Sequence, residues 1–230
     1  AVAPQVGEVL AHLGGVDAGQ LGQPLGRHGG HPGVGQVHQA AQVDGQAGRI
    51  DRIVAACEAY ERPGLRLVAV HDADEYDRFV ARSTDGTPVE WLDMVCPWSL
   101  KLLAFTLVDV DGDRDEAVRR LEQAARLAPG WAAPHVERGY ILASGGHFAE
   151  ALAAYREGVA LAEASGKNIP ELAMAWRGVG RVQGELHDWE SARAAYRRSL
   201  EVEPGNALAQ NELEWIETQD PSGNAPKAAP

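Results

Sequence analysis

Positive charge is scarce in this chain, with 21 Lys and Arg against 33 Asp and Glu for a formal net charge of -12. A surface that neutralises phosphates needs the opposite balance, so nucleic acid is not an expected partner. Cysteine is scarcer still. Cys57 and Cys96 are the only two, and neither falls in a C-x-x-C or Cys/His spacing, which argues against a structural zinc site and against a disulfide framework. Both are expected to be small apolar fillers. No apolar run approaches the roughly 18–20 residues of a membrane-spanning helix, so no membrane association is expected. The N-terminus also lacks the basic and apolar regions of a signal peptide. The chain begins with Ala1 rather than Met; the expectation is a cytoplasmic protein, with a removed signal peptide as the alternative. G-x-S-x-G, H-E-x-x-H and P-loop patterns are missing as well. The expectation is therefore no enzyme, no catalytic residues, no cofactor and no metal.

What is present falls into blocks of different character. Residues 1–48 hold twelve of the 26 glycines, no aromatic residue and a single formal positive charge, Arg27. Glycine at that density makes ordering entropically costly, and the sparse leucines Leu10, Leu13, Leu21 and Leu25 offer little burial in return. This segment is expected to be disordered low-complexity sequence or a mis-called start. His12, His28, His31 and His38 have no acidic or cysteine partner at ligand spacing, so they count as composition rather than a metal site. The tail 220–230 is rich in Pro, Ala, Ser and Gly and is also expected to be disordered.

Residues 49–97 read as a small, mostly helical block. Ile50, Ile53, Val54, Cys57 and Tyr60 recur at steps of three and four, the mark of an amphipathic helix ending before Pro63-Gly64. A short β-prone run over Leu65–Val70 follows. Asp72 is placed to cap a helix carrying Tyr76, Phe79 and Val80. Ser83–Pro88 is a turn cluster, and Val89–Val95 reads as a further helical piece.

Beyond residue 97 the chain repeats. Ala117, Ala151 and Ala192 recur at intervals of 34 and 41, and Leu121, Tyr155 and Tyr196 follow in the same register. With Gly139, Gly180, Trp176, Pro129 and Pro204, this pattern resembles the tetratricopeptide repeat, a helix-turn-helix unit of 34 residues. Small residues at such positions let paired helices cross closely, and the aromatic or leucine four residues later fills the adjoining space. The resemblance implies an all-α fold, an α-solenoid of about three repeats over 98–131, 132–165 and 173–206, with a capping helix at 207–219. About seven extra residues, 166–172, separate the second repeat from the third. Asp113 and Asp188 stand where they would cap second helices. The closing run from Ser199 to Ile216 also resembles the end of bacterial tetratricopeptide proteins.

Two chemical motifs compete with that register. Asp109–Glu116 alternates oxygen-bearing side chains like a calcium loop, but Arg114 and Arg120 occupy the positions that need Gly and Glu. Gly178-Val179-Gly180 followed by Gly184 looks like a dinucleotide turn without the strand that should precede it. Both are better read as repeat positions.

The family holds its ligands in a concave groove lined by first helices. The resemblance places Leu102, Thr106, Glu137, Tyr140, Arg177, Arg181 and Glu185 in that groove, with Trp215 of the cap closing its end. The members that clamp chaperone carboxylates need Lys and Asn where this chain has Leu102, Thr106, Glu137, Met174 and Gly178, so that activity is not implied. The expected function is a scaffold or adaptor that binds a protein or peptide partner, with Arg177 and Arg181 one turn apart to grip an acidic segment. The alternatives are a self-associating structural protein, hence a homo-oligomer, or an adaptor fused to a small sensor or catalytic block at 49–97.

Overall fold

The computed structural model describes residues 46–59, 61–166 and 169–219. The expectations for residues 1–45 and for the tail 220–230 lie outside them. The protein is an all-α helical repeat with one small two-stranded sheet. It divides into two units, Ala1–Gly130 and Trp131–Pro230.

In the first unit, α1 (Gln46–Glu58) leads to strand β1 (Arg66–Ala69), α2 (Ala73–Arg82), strand β2 (Val89–Leu92), α3 (Val95–Thr106) and α4 (Arg114–Leu127). Helix α1 takes in the last three residues before the composition break and buries Ile53, Val54 and Cys57. Asp72 caps α2 as its sequence position suggests, accepting a hydrogen bond from the Glu75 N–H at 2.9 Å. Val89–Leu92 is not the helix that its sequence suggests. It is a strand, paired in parallel with β1 so that Arg66 faces Val89 and Ala69 faces Leu92. A four-residue run is too short to show helical periodicity, and its identity is decided by contacts. The Tyr76 hydroxyl donates to the Val89 carbonyl at 2.8 Å, and the Trp91 indole N–H donates to the Val70 carbonyl at 3.2 Å. The Tyr76 and Trp91 rings stack with centroids 5.6 Å apart. Arg66 pins the intervening turn by an ion pair to Asp85 at 2.6 Å. That guanidinium and the Thr87 N–H, the larger influence, hold the Asp85 carboxyl below its usual range.

The cysteines are a second correction. Cys57 and Cys96 are joined as a disulfide, with Cα atoms 5.8 Å apart. Helix α1 packs on α3, so residues distant in sequence meet in a buried layer where spacing alone carried no signal.

Helices α3 and α4 pack together, with Ala104, Ala117, Leu121 and Ala124 buried. Between them lies a π-helical turn, Leu107–Asp111, stopped by Gly112 in the left-handed region at φ 68°. Asp113 caps α4 through the Glu116 N–H at 3.0 Å, and Glu116 pairs with Arg119 and Arg120. Two carboxylates of the calcium-like stretch, those of Asp113 and Glu116, are thereby turned to capping and ion pairing.

The second unit contains α5 (Ala133–Ser144), α6 (Phe148–Ser165), α7 (Ile169–Glu185), α8 (Trp189–Val202) and α9 (Ala207–Gln219). Helices α5 and α6 pair, α7 and α8 pair, α7 also packs on α6, and α9 covers α8. Its core combines Val136, Ala151, Tyr155, Val159, Ala175 and Val179. The helices flanking the extra residues are long: α6 has 18 residues and α7 has 17, where α8 has 14 and α5 has 12. Asp188 caps α8 through the Ser191 N–H at 3.2 Å. Pro204 follows two residues after α8 ends, and buried Asn206 caps α9 through the Ala209 N–H at 3.0 Å. His135 and Arg138, which replace the apolar residues of the repeat pattern, both reach Glu157 of α6, at 2.9 and 2.8 Å. Burial nonetheless lowers the His135 pKa, the Glu157 carboxylate opposing the shift and Arg138 adding to it. No helix among the described residues is long and apolar enough to cross a membrane.

Candidate partner-binding groove

The spacing of the second unit's helices is set by two tyrosine rings. Tyr155 projects from α6 between α5 and α7: a Cβ added at Gly139 would lie 2.9 Å from its ring, and one at Gly178 would enter the ring outright. Tyr196 repeats the device from α8, where a Cβ at Gly180 would come within 2.8 Å. Both rings are buried. An alanine four residues before each tyrosine, Ala151 and Ala192, is fully enclosed on the same face. Helix pairs locked by a small residue on one helix and an aromatic on the next recur in register through the unit. The repeats are tetratricopeptide-like.

No family model matches the chain, and no curated protein matches it. Among solved structures it is similar to the first TPR domain of Spaghetti (RPAP3), bound to the HSP90 peptide SRMEEVD. The identity is 25%, over 56% of this chain and 95% of that one, with a TM-score of 0.49. It is also similar to the Sgt2 TPR domain from Aspergillus fumigatus, at 18% identity over 58% of this chain and 85% of that one, with a TM-score of 0.48.

Of the residues expected to line a groove, Arg181 and Tyr140 are brought together. Arg181 is exposed on α7, and its guanidinium carbon lies 5.9 Å from the centre of the Tyr140 ring on α5. Burial pushes the pKa of the Tyr155 phenol well above the usual range; Arg181 opposes that shift, while Glu137 and Tyr140 reinforce it. Tyr196 is raised by burial too, with Glu212 adding to the shift and Arg181 opposing it. Arg181, Tyr140 and buried Glu137 thus share one electrostatic neighbourhood with Tyr155, and Arg181 also acts on Tyr196.

The other expected residues are placed differently. Arg177 is largely enclosed: it holds Glu203 at 2.7 Å and reaches the Ser199 hydroxyl at 3.3 Å. Ser199 donates in turn to the Ala173 carbonyl, and Asn206 donates to Glu203. This clasp ties α7 to the end of α8 and the start of α9, so Arg177 and Arg181 do not act as a pair. Its only hint in the sequence was a Glu 26 residues on, a spacing with no periodic meaning. Glu185 is exposed at the end of α7. Trp215 stands on α9 at 49% exposure and packs edge-on against Trp189, with ring centroids 5.8 Å apart.

Leu102 and Thr106 belong to the first unit, on α3. Both are half-buried, and the Thr106 hydroxyl donates to the Leu102 carbonyl at 3.2 Å. On the residue before Leu102, the Lys101 ammonium lies over the Trp98 and Phe105 rings at 5.0 and 5.6 Å. Among the described residues no group of three or more His, Cys, Asp or Glu side chains is arranged to hold a metal ion.

Proposed function

We propose that the protein is a non-enzymatic interaction adaptor whose second unit receives a peptide or partner helix across α5 and α7. The carrying observation is Arg181, an exposed guanidinium lying on the Tyr140 ring. It has no carboxylate partner among the described residues. A flat aromatic surface beside a cation suits an extended or helical segment that presents one apolar and one acidic side chain. Arg177 supports the site by holding α8 and α9 in place. Affinity capture with the full chain tests the reading. Partners retained by the parent are expected to be lost from an Arg181→Glu, Tyr140→Ala variant, and their undiminished retention would count against the groove.

Self-association is a second reading, favoured by Leu208 and Trp215. They are seven residues apart on one face of α9 and stand 48% and 49% exposed. A light-scattering mass that stays monomeric as concentration rises would dispose of it.

The buried Cys57–Cys96 disulfide favours an oxidising compartment over the cytoplasm. Free thiols at both positions in protein alkylated at the moment of cell lysis would overturn that assignment.

A further inference from the structure

A cavity of about 500 Å³ opens in the first unit, where the loop after α1 meets β1 and the last turns of α4. Its volume falls in the roughly 300–1,000 Å³ range of small-ligand sites. Leu65 and Leu67, which share a face at the start of β1, give it an apolar wall together with Leu127 of α4. Arg62 from the loop and Arg126 from α4 line the same space. Both are exposed, and neither guanidinium is neutralised by a partner among the described residues. Glu61 is the one carboxylate in the lining, so the cavity keeps a net positive charge within a chain of net charge -12.

The third polar group is held in a fixed orientation. Gln123 gives its side-chain oxygen to Arg120 at 3.3 Å, and Arg120 is anchored by Glu58 at 2.7 Å and Glu116 at 2.6 Å. The Gln123 amide is therefore left with its N–H donors unspent. Glu58 is one residue from Cys57, so the disulfide and the Glu58–Arg120 pair fix the start of the loop that carries Arg62.

We propose that this cavity binds a carboxylate with an adjoining apolar chain. Arg62, Arg126 and the Gln123 amide receive the charged group, and the leucines receive the chain. The reading does not depend on the groove of the second unit. The carboxylate could belong to a free organic acid or to the terminus of a peptide, and the test separates them.

Isothermal titration of the full chain with octanoate, and with a pentapeptide ending in a leucine carboxylate, is expected to give saturable binding of at least one, with a dissociation constant of about 0.1–1 mM. The tighter of the two identifies the source. Arg62→Gln and Arg126→Gln should each weaken it about tenfold, while Arg78→Gln, on exposed α2, leaves it unchanged. Octanamide and inorganic phosphate should bind at least about tenfold more weakly, lacking the charge and the chain respectively. The assignment is overturned if neither carboxylate saturates by about 10 mM, if the two arginine variants bind like the parent, or if phosphate binds as well as octanoate. Thermal melts of the variants establish that any lost binding is not lost folding.

Discussion

Replacing Gly178 with alanine sets two physical effects against each other. Glycine in a helix interior is worse than alanine by about 1 kcal/mol, so on helix propensity alone Gly178→Ala would stabilise α7. The packing says otherwise, because the new methyl would enter the Tyr155 ring. That ring has little room to retreat, since its Cδ1 and Cε1 atoms also crowd the backbone position of Gly139, where a Cβ would be 2.9 Å away. Overpacking a closed core costs about 1–3 kcal/mol. A contact this deep belongs at the upper end, which leaves a net loss of about 2 kcal/mol after the propensity gain. For a unit of this size that corresponds to a thermal midpoint about 10 °C lower. Gly184 supplies the control in the same helix: its nearest neighbour to an added Cβ is the Trp189 ring at 4.0 Å, so Gly184→Ala should stabilise by up to about 1 kcal/mol. Urea unfolding of the full chain, followed by far-UV circular dichroism, measures both. Tyr155→Leu in the Gly178→Ala background should lose less than the sum of the single changes, a signature of direct coupling. Equal or greater stability of Gly178→Ala than parent would refute the wedge.

Further outcomes follow from other contacts. Removing the Cys57–Cys96 link, which spans a sequence separation of 39, with a Cys57→Ala, Cys96→Ala variant should destabilise the first unit by about 4 kcal/mol on the chain-entropy account, measured as a shift in urea midpoint. Because burial lowers the His135 pKa, the unfolded chain binds more protons; stability is complete above the unfolded value of 6.5 and is lost as pH falls from there towards the folded pKa. His135→Gln should flatten that decline in midpoints taken between about pH 7.5 and 5.5. Arg177→Ala leaves Glu203 without its cation and should destabilise by about 1–3 kcal/mol. Arg181→Ala should change stability by less than about 0.5 kcal/mol; a reversed order would mean that the two arginines have been assigned the wrong roles.

The repeat was legible because its determinants are local and periodic. Ala117, Ala151 and Ala192 with their partners four residues on define buried helix faces, and the aspartates at 72, 113 and 188 announce helix starts through a side chain that reaches only three residues ahead. Non-local facts were not legible. Strand β2 exists because Val89–Leu92 lies beside β1 across a crossover, and the disulfide exists because α1 lands on α3. Among the residues of the proposed groove, sequence register placed Arg177 and Arg181 on one helix face but gave no means of separating them. Only the position of Glu203 shows that one is clasped while the other is open. The basic cavity is assembled from residues some 60 positions apart and leaves no trace in any window of the sequence.

The link between Cys57 and Cys96 also alters what a cut in the backbone would do. Strand β1, helix α2 and strand β2 all lie between the two cysteines, so this segment is a closed covalent ring rather than a stretch of open thread. A protease that severs the exposed Thr84–Gly86 turn therefore opens the ring without dividing the molecule. The two pieces stay attached and migrate together until a thiol reductant lets them part. An injury at this exposed turn is thereby confined to the ring and leaves α3 still fastened to α1.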